Sequence, residues 1–356
     1  MEFVDYLVVG QGLAGSLLTL LLQERGRSVI VIDNDHRHAA SRAAGGIINP
    51  ITGKRLNRPV LIDELLQCAF AVYPRIEAQL AVPLFRQRTV LRLLQNDEEA
   101  ERWRRQSSSL EYGKYLSNVP PSPFPLFRNN FGAFEVIQAA QLDIRRLILR
   151  VRELLLAQQS LVNQPFSYGD LNILRDRIRW KRFTARYVIF CEGYRMVHNP
   201  YFSELELNPA KGETLTLATS GFAEDRIVQH GKWIFRNLNG EVLAGTNYQW
   251  DTLDEEPTKA ARNEIEQAIR KFFVSDFEIT DQRAGVRPVV RVDNRPVVGV
   301  HPRLPQLAIL NGLGSKGALQ APFAALELVS ALEEGKPVWK EIDLCRPSLW
   351  NLARRN

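Results

Sequence analysis

Gly10-Gln-Gly12-Leu13-Ala14-Gly15 stands between a short apolar run, Phe3–Val9, and a leucine-rich stretch, Ser16–Arg25. Glycines at this spacing suit one task, holding a pyrophosphate on backbone N–H groups. Gly10 permits the tight strand-to-helix turn, Gly12 lets the backbone approach the phosphates, and Gly15 lets the helix pack closely on the strand. The helix that follows points its free N–H groups and positive dipole end at the same anion. A second run, Ser28–Ile32, ends at Asp33, 18 residues beyond Gly15. A carboxylate there accepts hydrogen bonds from a ribose diol and repels an NADP-type 2′-phosphate. Strand, loop, helix, strand and terminal acid in this order predict dinucleotide binding rather than a structural turn.

Two further glycine clusters could meet a ligand. In Ser41-Arg42-Ala-Ala-Gly45-Gly46-Ile47-Ile-Asn-Pro50, paired glycines precede paired isoleucines. Such a segment is backbone passing close to something large and flat, or an ordinary glycine-rich loop. Asn311-Gly312-Leu-Gly314-Ser315-Lys316-Gly317 lies between a strand-like and a helix-like run. It can form a second helix N-terminus that stabilises negative charge on a reduced cofactor ring or a substrate anion, or a plain structural loop. Other chemistry is excluded. Cys68, Cys191 and Cys345 are too far apart for a disulfide framework or metal-ligand spacing, and the five histidines form no HxxxH pair. No metal site and no nucleophilic Cys or His arrangement is expected.

Behind these residues the sequence predicts the elements that must position them. Helices are expected at Asp63–Gln79, Glu98–Gln106, Gln138–Gln158 (long and amphipathic), Thr258–Phe273 and Ala318–Glu333. Strands are expected at Leu84–Leu94 and at Ala185–Phe190, which leads into Cys191-Glu-Gly193. Glu213–Ala218, Arg226–His230, Lys232–Asn237 and Glu241–Thr246 read as antiparallel strands, the last two joined by a hairpin turn at Asn237–Gly240. Ala284–Val290, Pro296–Val300 and Leu307–Leu310 read as short strands, and the four prolines of Pro120–Pro125 as an exposed loop.

At 356 residues, about two domains are expected. The composition, 45% hydrophobic and 24% charged, is that of a globular chain and excludes intrinsic disorder. The net charge of +6 is scattered, with dense basic runs only at Arg102–Arg105 and Arg354–Arg355, and reads as a solvated surface rather than a nucleic-acid footprint. Glycines interrupt the apolar stretch Leu7–Leu22, and Glu2 and Asp5 stand where a signal peptide would be basic. With no long apolar run, no membrane span is expected, and the chain reads as cytoplasmic.

The anchors of a family run in order along the chain: the glycine loop with Asp33, Ser41–Ile47, Cys191-Glu-Gly193, Lys211-Gly-Glu-Thr-Leu, Gly285-Val-Arg287-Pro and Gly312–Pro322. In these the sequence resembles the D-amino acid oxidase superfamily of flavoproteins, which includes glycine oxidase and monomeric sarcosine oxidase. The resemblance implies an α/β fold: a Rossmann-type FAD-binding domain of the glutathione reductase kind, interrupted by an antiparallel, β-rich α+β substrate domain. It divides the chain into cofactor-binding residues 1–80, 136–200 and 284–345, substrate-binding residues 81–135 and 201–283, and a tail, 346–356. It implies oxidation of a C–N bond in which a neutral amine delivers hydride to flavin N5 and the resulting imine hydrolyses, with positioning doing most of the work.

Carried over by position, Arg287 grips a substrate carboxylate and Lys316 meets it too, while Trp233 and Tyr248 form an aromatic wall. The competing expectation makes Arg287 a structural ion pair and Lys316 a solvated loop residue. The resemblance assigns to FAD Gly10, Gly12, Leu13, Ala14, Gly15, Asp33, Ser41, Arg42, Gly45, Gly46, Ile47, Phe166, Gly193, Gly312, Gly314, Ser315, Lys316 and Gly317. Departures matter as well. Sarcosine oxidase attaches its flavin through a cysteine near the strand of Arg287, and no cysteine lies between Cys191 and Cys345, so noncovalent FAD is expected. Leu243 stands near the place of a lysine that assists oxygen in that enzyme, which leaves the electron acceptor, O2 or another carrier, open. The partner expected is a small amine; the oligomeric state is not legible. Gly45–Pro50 and Gly314–Gly317 look more like the oxidase domain of the bifunctional enzyme that modifies the tRNA wobble uridine. A tRNA substrate, with oxidation of a carboxymethylaminomethyl-type group, is therefore the runner-up, and a non-catalytic flavin-binding subunit a third reading.

Overall fold

The computed structural model describes residues 1–35, 39–53, 55–117, 120–121 and 123–350. His36, His38, Arg354, Arg355, the end of the expected tail and residue 122 of the proline-rich loop lie outside them.

Glu2–Val9 pairs in parallel with Val29–Ile32 on one side and with Phe183–Phe190 on the other. Leu161–Val162 extends this sheet beyond Val29–Ile32, and Leu307–Asn311 extends it beyond Phe183–Phe190, both in parallel. Val297–Val300 closes that edge antiparallel, and Ile178–Trp180 and Leu171–Ile173 add a small antiparallel flap. The inner strands are buried almost throughout, as expected of parallel strands covered on both faces. Helix Leu13–Glu24 carries leucine on all sides and packs against Gly317–Glu334, which in turn packs on Ile62–Leu80.

A second, seven-stranded sheet runs in the order Glu278–Arg287, Ala210–Ala218, Val242–Gly245, Lys232–Arg236, Ile227–His230, Val90–Leu93 and Ala133–Val136. All its pairings are antiparallel except Ile227–His230 with Val90–Leu93. One face packs Leu91, Val228, Ile234, Ala244 and Leu215 against helix Lys259–Arg270. The other face turns toward the first sheet. A three-stranded sheet of Ile47–Ile48, Ala140–Leu142 and Phe85–Gln87 lies between them.

Three expected elements differ. Gln138–Gln158 is not one helix: Ala140–Leu142 is a strand, and the Asp143 carboxylate accepts the Arg146 N–H, so the helix starts at Ile144. The strand expected at Leu84–Leu94 breaks at Arg88, whose N–H donates to Ala139 O as the chain passes from the small sheet to the second sheet. The strand expected at Ala284–Val290 begins at Glu278 and ends at Arg287, because Pro288 has no N–H for the ladder. Among the described residues no helix is long and apolar enough to cross a membrane.

Candidate active site

A cavity of about 830 Å3 opens between the first and second sheets. Its walls take residues from stretches far apart in sequence, within 9–14, 32–34, 39–47, 164–168, 191–198 and 310–319 though not Arg42 or Gly312, with Gly212, Thr214, Gln229, Trp233, Thr246, Tyr248 and Arg287 from the second sheet.

At one end lies the glycine loop. Gly10 has φ +96° and its N–H donates to Ile32 O at 2.9 Å. A Cβ on Gly10 would stand 2.5 Å from Cys191 O, and one on Gly15 only 1.9 Å from Gly10 O. These two glycines therefore serve the packing of strand, loop and helix. Gly12 is different, for its Cβ would meet only the Ser41 hydroxyl, at 3.3 Å, and would point into open cavity. The Ser41 hydroxyl accepts the Leu13 N–H at 3.1 Å, so the loop from the next wall caps the start of this helix. Asp33 accepts the N–H groups of Gln11 and Asp35 and pairs at 2.9 Å with Arg152, on helix Ile144–Ala157.

The opposite end carries two cations. Arg287, at the end of its strand, donates to Thr246 Oγ1 at 2.9 Å, and the Lys211 and Asn247 carbonyls lie at 3.4 Å. Its guanidinium carbon lies 4.4 Å from the centre of the Tyr248 ring. Among the described residues no carboxylate pairs with it, so the structural ion pair is not what holds Arg287. Burial pushes the Arg287 pKa down, opposed by the neighbouring Tyr248. Gly212 makes this placement possible: a Cβ there would fall 1.7 Å from Arg287 Nη2. Lys316, at the start of helix Gly317–Glu334, has no side-chain partner among the described residues, and burial lowers its pKa. It is partly buried rather than fully solvated.

Between the two ends, Trp233 lies against Gly45 and Gly245, where Cβ atoms would come within 2.9 and 2.8 Å of its ring. Tyr248 stacks on Trp250 at 5.8 Å, and both are about half exposed at the cavity mouth. Phe166 stacks on Trp180 at 5.2 Å and lines the end nearer Asp33.

Of the residues expected to meet cofactor or substrate, Gly10, Gly12, Leu13, Ala14, Asp33, Ser41, Gly45, Gly46, Ile47, Phe166, Gly193, Gly314, Ser315, Lys316, Gly317, Trp233, Tyr248 and Arg287 all line this one cavity. Gly15, Gly312 and Arg42 do not line it. Gly15 and Gly312 serve close backbone packing, and Arg42 pairs with Asp35. Sequence reasoning missed Arg152, whose arginine-rich helix looks merely amphipathic, and gave Gly212 no spatial task. It also missed Glu192, a half-buried acid beside Gly193 that accepts from Tyr168 and Asn199 and whose pKa desolvation raises. Among the described residues no group of three or more His, Cys, Asp or Glu could hold a metal ion.

The cavity fits FAD. It offers a helix start beside an open Gly12, an acid at the end of the second strand, and room for a large ligand. Comparisons point the same way. The sequence pattern described as FAD dependent oxidoreductase matches residues 5–331. An uncharacterised oxidoreductase of Bacillus subtilis, YurR, is 24% identical, with 96% of this chain and 97% of that protein covered. Iminodiacetate oxidase from Chelativorans sp. BNC1 superposes with a TM-score of 0.77 at 20% identity, over 94% of this chain and 96% of that one. Glycine oxidase from Geobacillus kaustophilus superposes with a TM-score of 0.76 at 19% identity, over 98% and 99%.

Proposed function

The chain belongs to the FAD dependent oxidoreductase family, and from that premise we propose that it oxidises the C–N bond of a small amine or amino acid carrying a carboxylate. One observation carries the substrate reading: Arg287 is a partly buried, desolvated cation with no acid partner among the described residues, aimed into the cavity over Gly212. A desolvated guanidinium of this kind is completed by a planar anion, which it binds with charge-assisted hydrogen bonds. FAD, when bound, supplies the hydride acceptor, and the lack of any cysteine between Cys191 and Cys345 favours noncovalent attachment.

The chain's own residues then bind and orient. Gly12, the start of helix Leu13–Glu24 and Ser41 would hold the pyrophosphate, and Asp33, steadied by Arg152, the ribose. Lys316 and the helix start behind it would face the negative charge that develops at the reacting end. Trp233 and Tyr248 would exclude water from the substrate's apolar part. The same division assigns residues 1–80, 136–200 and 284–345 to the cofactor, and 81–135 and 201–283 to the substrate.

The test is anaerobic bleaching of the purified yellow protein against amino acids, N-methyl amino acids and modified nucleosides. Bleaching by an amine with a free carboxylate is expected. Arg287→Ala should weaken that substrate by about 2–4 kcal/mol while FAD stays bound. Equal losses with neutral and anionic amines would refute the role, and bleaching by a modified nucleoside alone would replace it with the tRNA reading.

A further inference from the structure

The floor of the cavity continues past Trp233 to a residue that the site above does not use. Arg92, Gln229, Trp233 and Gly245 are direct neighbours across four adjacent strands. Side chains alternate along a strand, and Val228 and Ile234 point into the core on the opposite face. The side chains of Gln229 and Trp233 therefore point into the cavity, which both residues line. The half-buried Gln229 carboxamide has no hydrogen-bond partner among the described residues. Asn49, a buried residue that lines the same cavity, spends its Oδ1 on the Ile51 N–H at 3.0 Å and leaves its Nδ2 without a partner among the described residues. The neighbouring Arg92 is taken up by the buried Glu99.

We propose that Gln229, with Asn49, is a specificity determinant that reads a neutral hydrogen-bonding group on the far end of the substrate. The inference rests on the reading of this cavity as the site of amine oxidation. The Gln229 carboxamide and the spare Nδ2 of Asn49 suit an amide or hydroxyl, which can both accept and donate. They do not suit a second carboxylate, because the charge at this end is already balanced between Arg92 and Glu99. The spacing sets the length. Gln229 lies two strands from Gly245, whose neighbour Thr246 receives the Arg287 guanidinium. At ~4.8 Å per strand, that is about 10 Å. A substrate held at both ends crosses the face of Trp233 and is considerably longer than glycine.

The experiment compares N-(3-carbamoylpropyl)glycine with its apolar isostere N-(4-methylpentyl)glycine, binding to the holoenzyme by anaerobic calorimetry and recording flavin bleaching in the same samples. The carboxamide should bind about three- to ten-fold more tightly, the size of one or two neutral hydrogen bonds. Gln229→Leu should erase or reverse that preference at unchanged FAD content. The substitution orphans no protein group among the described residues, since the carboxamide has no partner there to lose. Equal binding of the two ligands to the wild-type protein, or a preference that survives Gln229→Leu, would overturn the assignment. Preferential binding without bleaching by any amine would sink the oxidation reading and leave the Gln229 assignment standing. Bleaching with no preference would do the reverse.

Discussion

Two cations without acid partners among the described residues face one cavity, and their protonation can be followed separately. Burial holds the pKa of Lys316 below the ordinary lysine value, so its charge is present below that lowered pKa and lost as pH rises through it. Affinity for a carboxylate that lacks an amine, such as methoxyacetate, should therefore fall on the alkaline side before the usual lysine range is reached. Lys316→Met should abolish that alkaline limb in a titration of affinity against pH; a limb that persists belongs to another group. The glycine loop separates in the same way. Gly12 has extended backbone angles and one near neighbour, the Ser41 hydroxyl, so Gly12→Val should cost the apoprotein less stability than Gly15→Ala and abolish FAD retention. Gly15→Ala should instead destabilise the chain itself, because its Cβ would overlap Gly10 O. A fully flavinated Gly12→Val protein would show that the loop is not the binding site.

At the scale of elements, the segment between strand Val242–Gly245 and helix Lys259–Arg270 carries Thr246, Asn247 and Tyr248 to Arg287. A buried network holds it. Lys211, wholly buried, pairs with Asp254 at 2.5 Å and with the buried Glu213 at 3.8 Å and donates to Glu256 O, while Glu213 accepts from Thr258 and Gln282. Lys211→Met would leave Glu213 buried with a charge that no lysine balances, at a cost of about 3–5 kcal/mol, measurable by urea unfolding. A much smaller loss would mean that the segment is held chiefly by its hydrogen bonds. Most elements were legible from periodicity and turn residues, including the hairpin at Asn237–Gly240. The exceptions arose where a strand of only three residues, Ala140–Leu142, shares an apolar run with the helix after it. Only pairing with Ile47–Ile48 and Phe85–Gln87 reveals the boundary.

Over the whole molecule, the cavity is lined from the first and second sheets and the loops between them, so a ligand filling it ties them together. FAD at about 100 times its Kd should raise stability by about 2.7 kcal/mol, read as an upward shift of thermal unfolding that Gly12→Val abolishes. Absence of a shift in the wild-type protein would place the cofactor elsewhere. Gly10–Gly15 and Asp33 were readable in the sequence because their chemistry is local, set by a strand, a turn and a helix that follow one another. The order of the remaining anchors, and with it the family, was readable too. Whether Arg287 is free or ion-paired was not. That depends on Gly212, 75 residues away in the chain, leaving room for its guanidinium. Nor could the sequence show Arg152 steadying Asp33 across 119 residues, or Gln229 turned toward the cavity rather than the core. Such contacts are fixed by strand register and sheet packing, which leave no periodicity in the neighbouring residues.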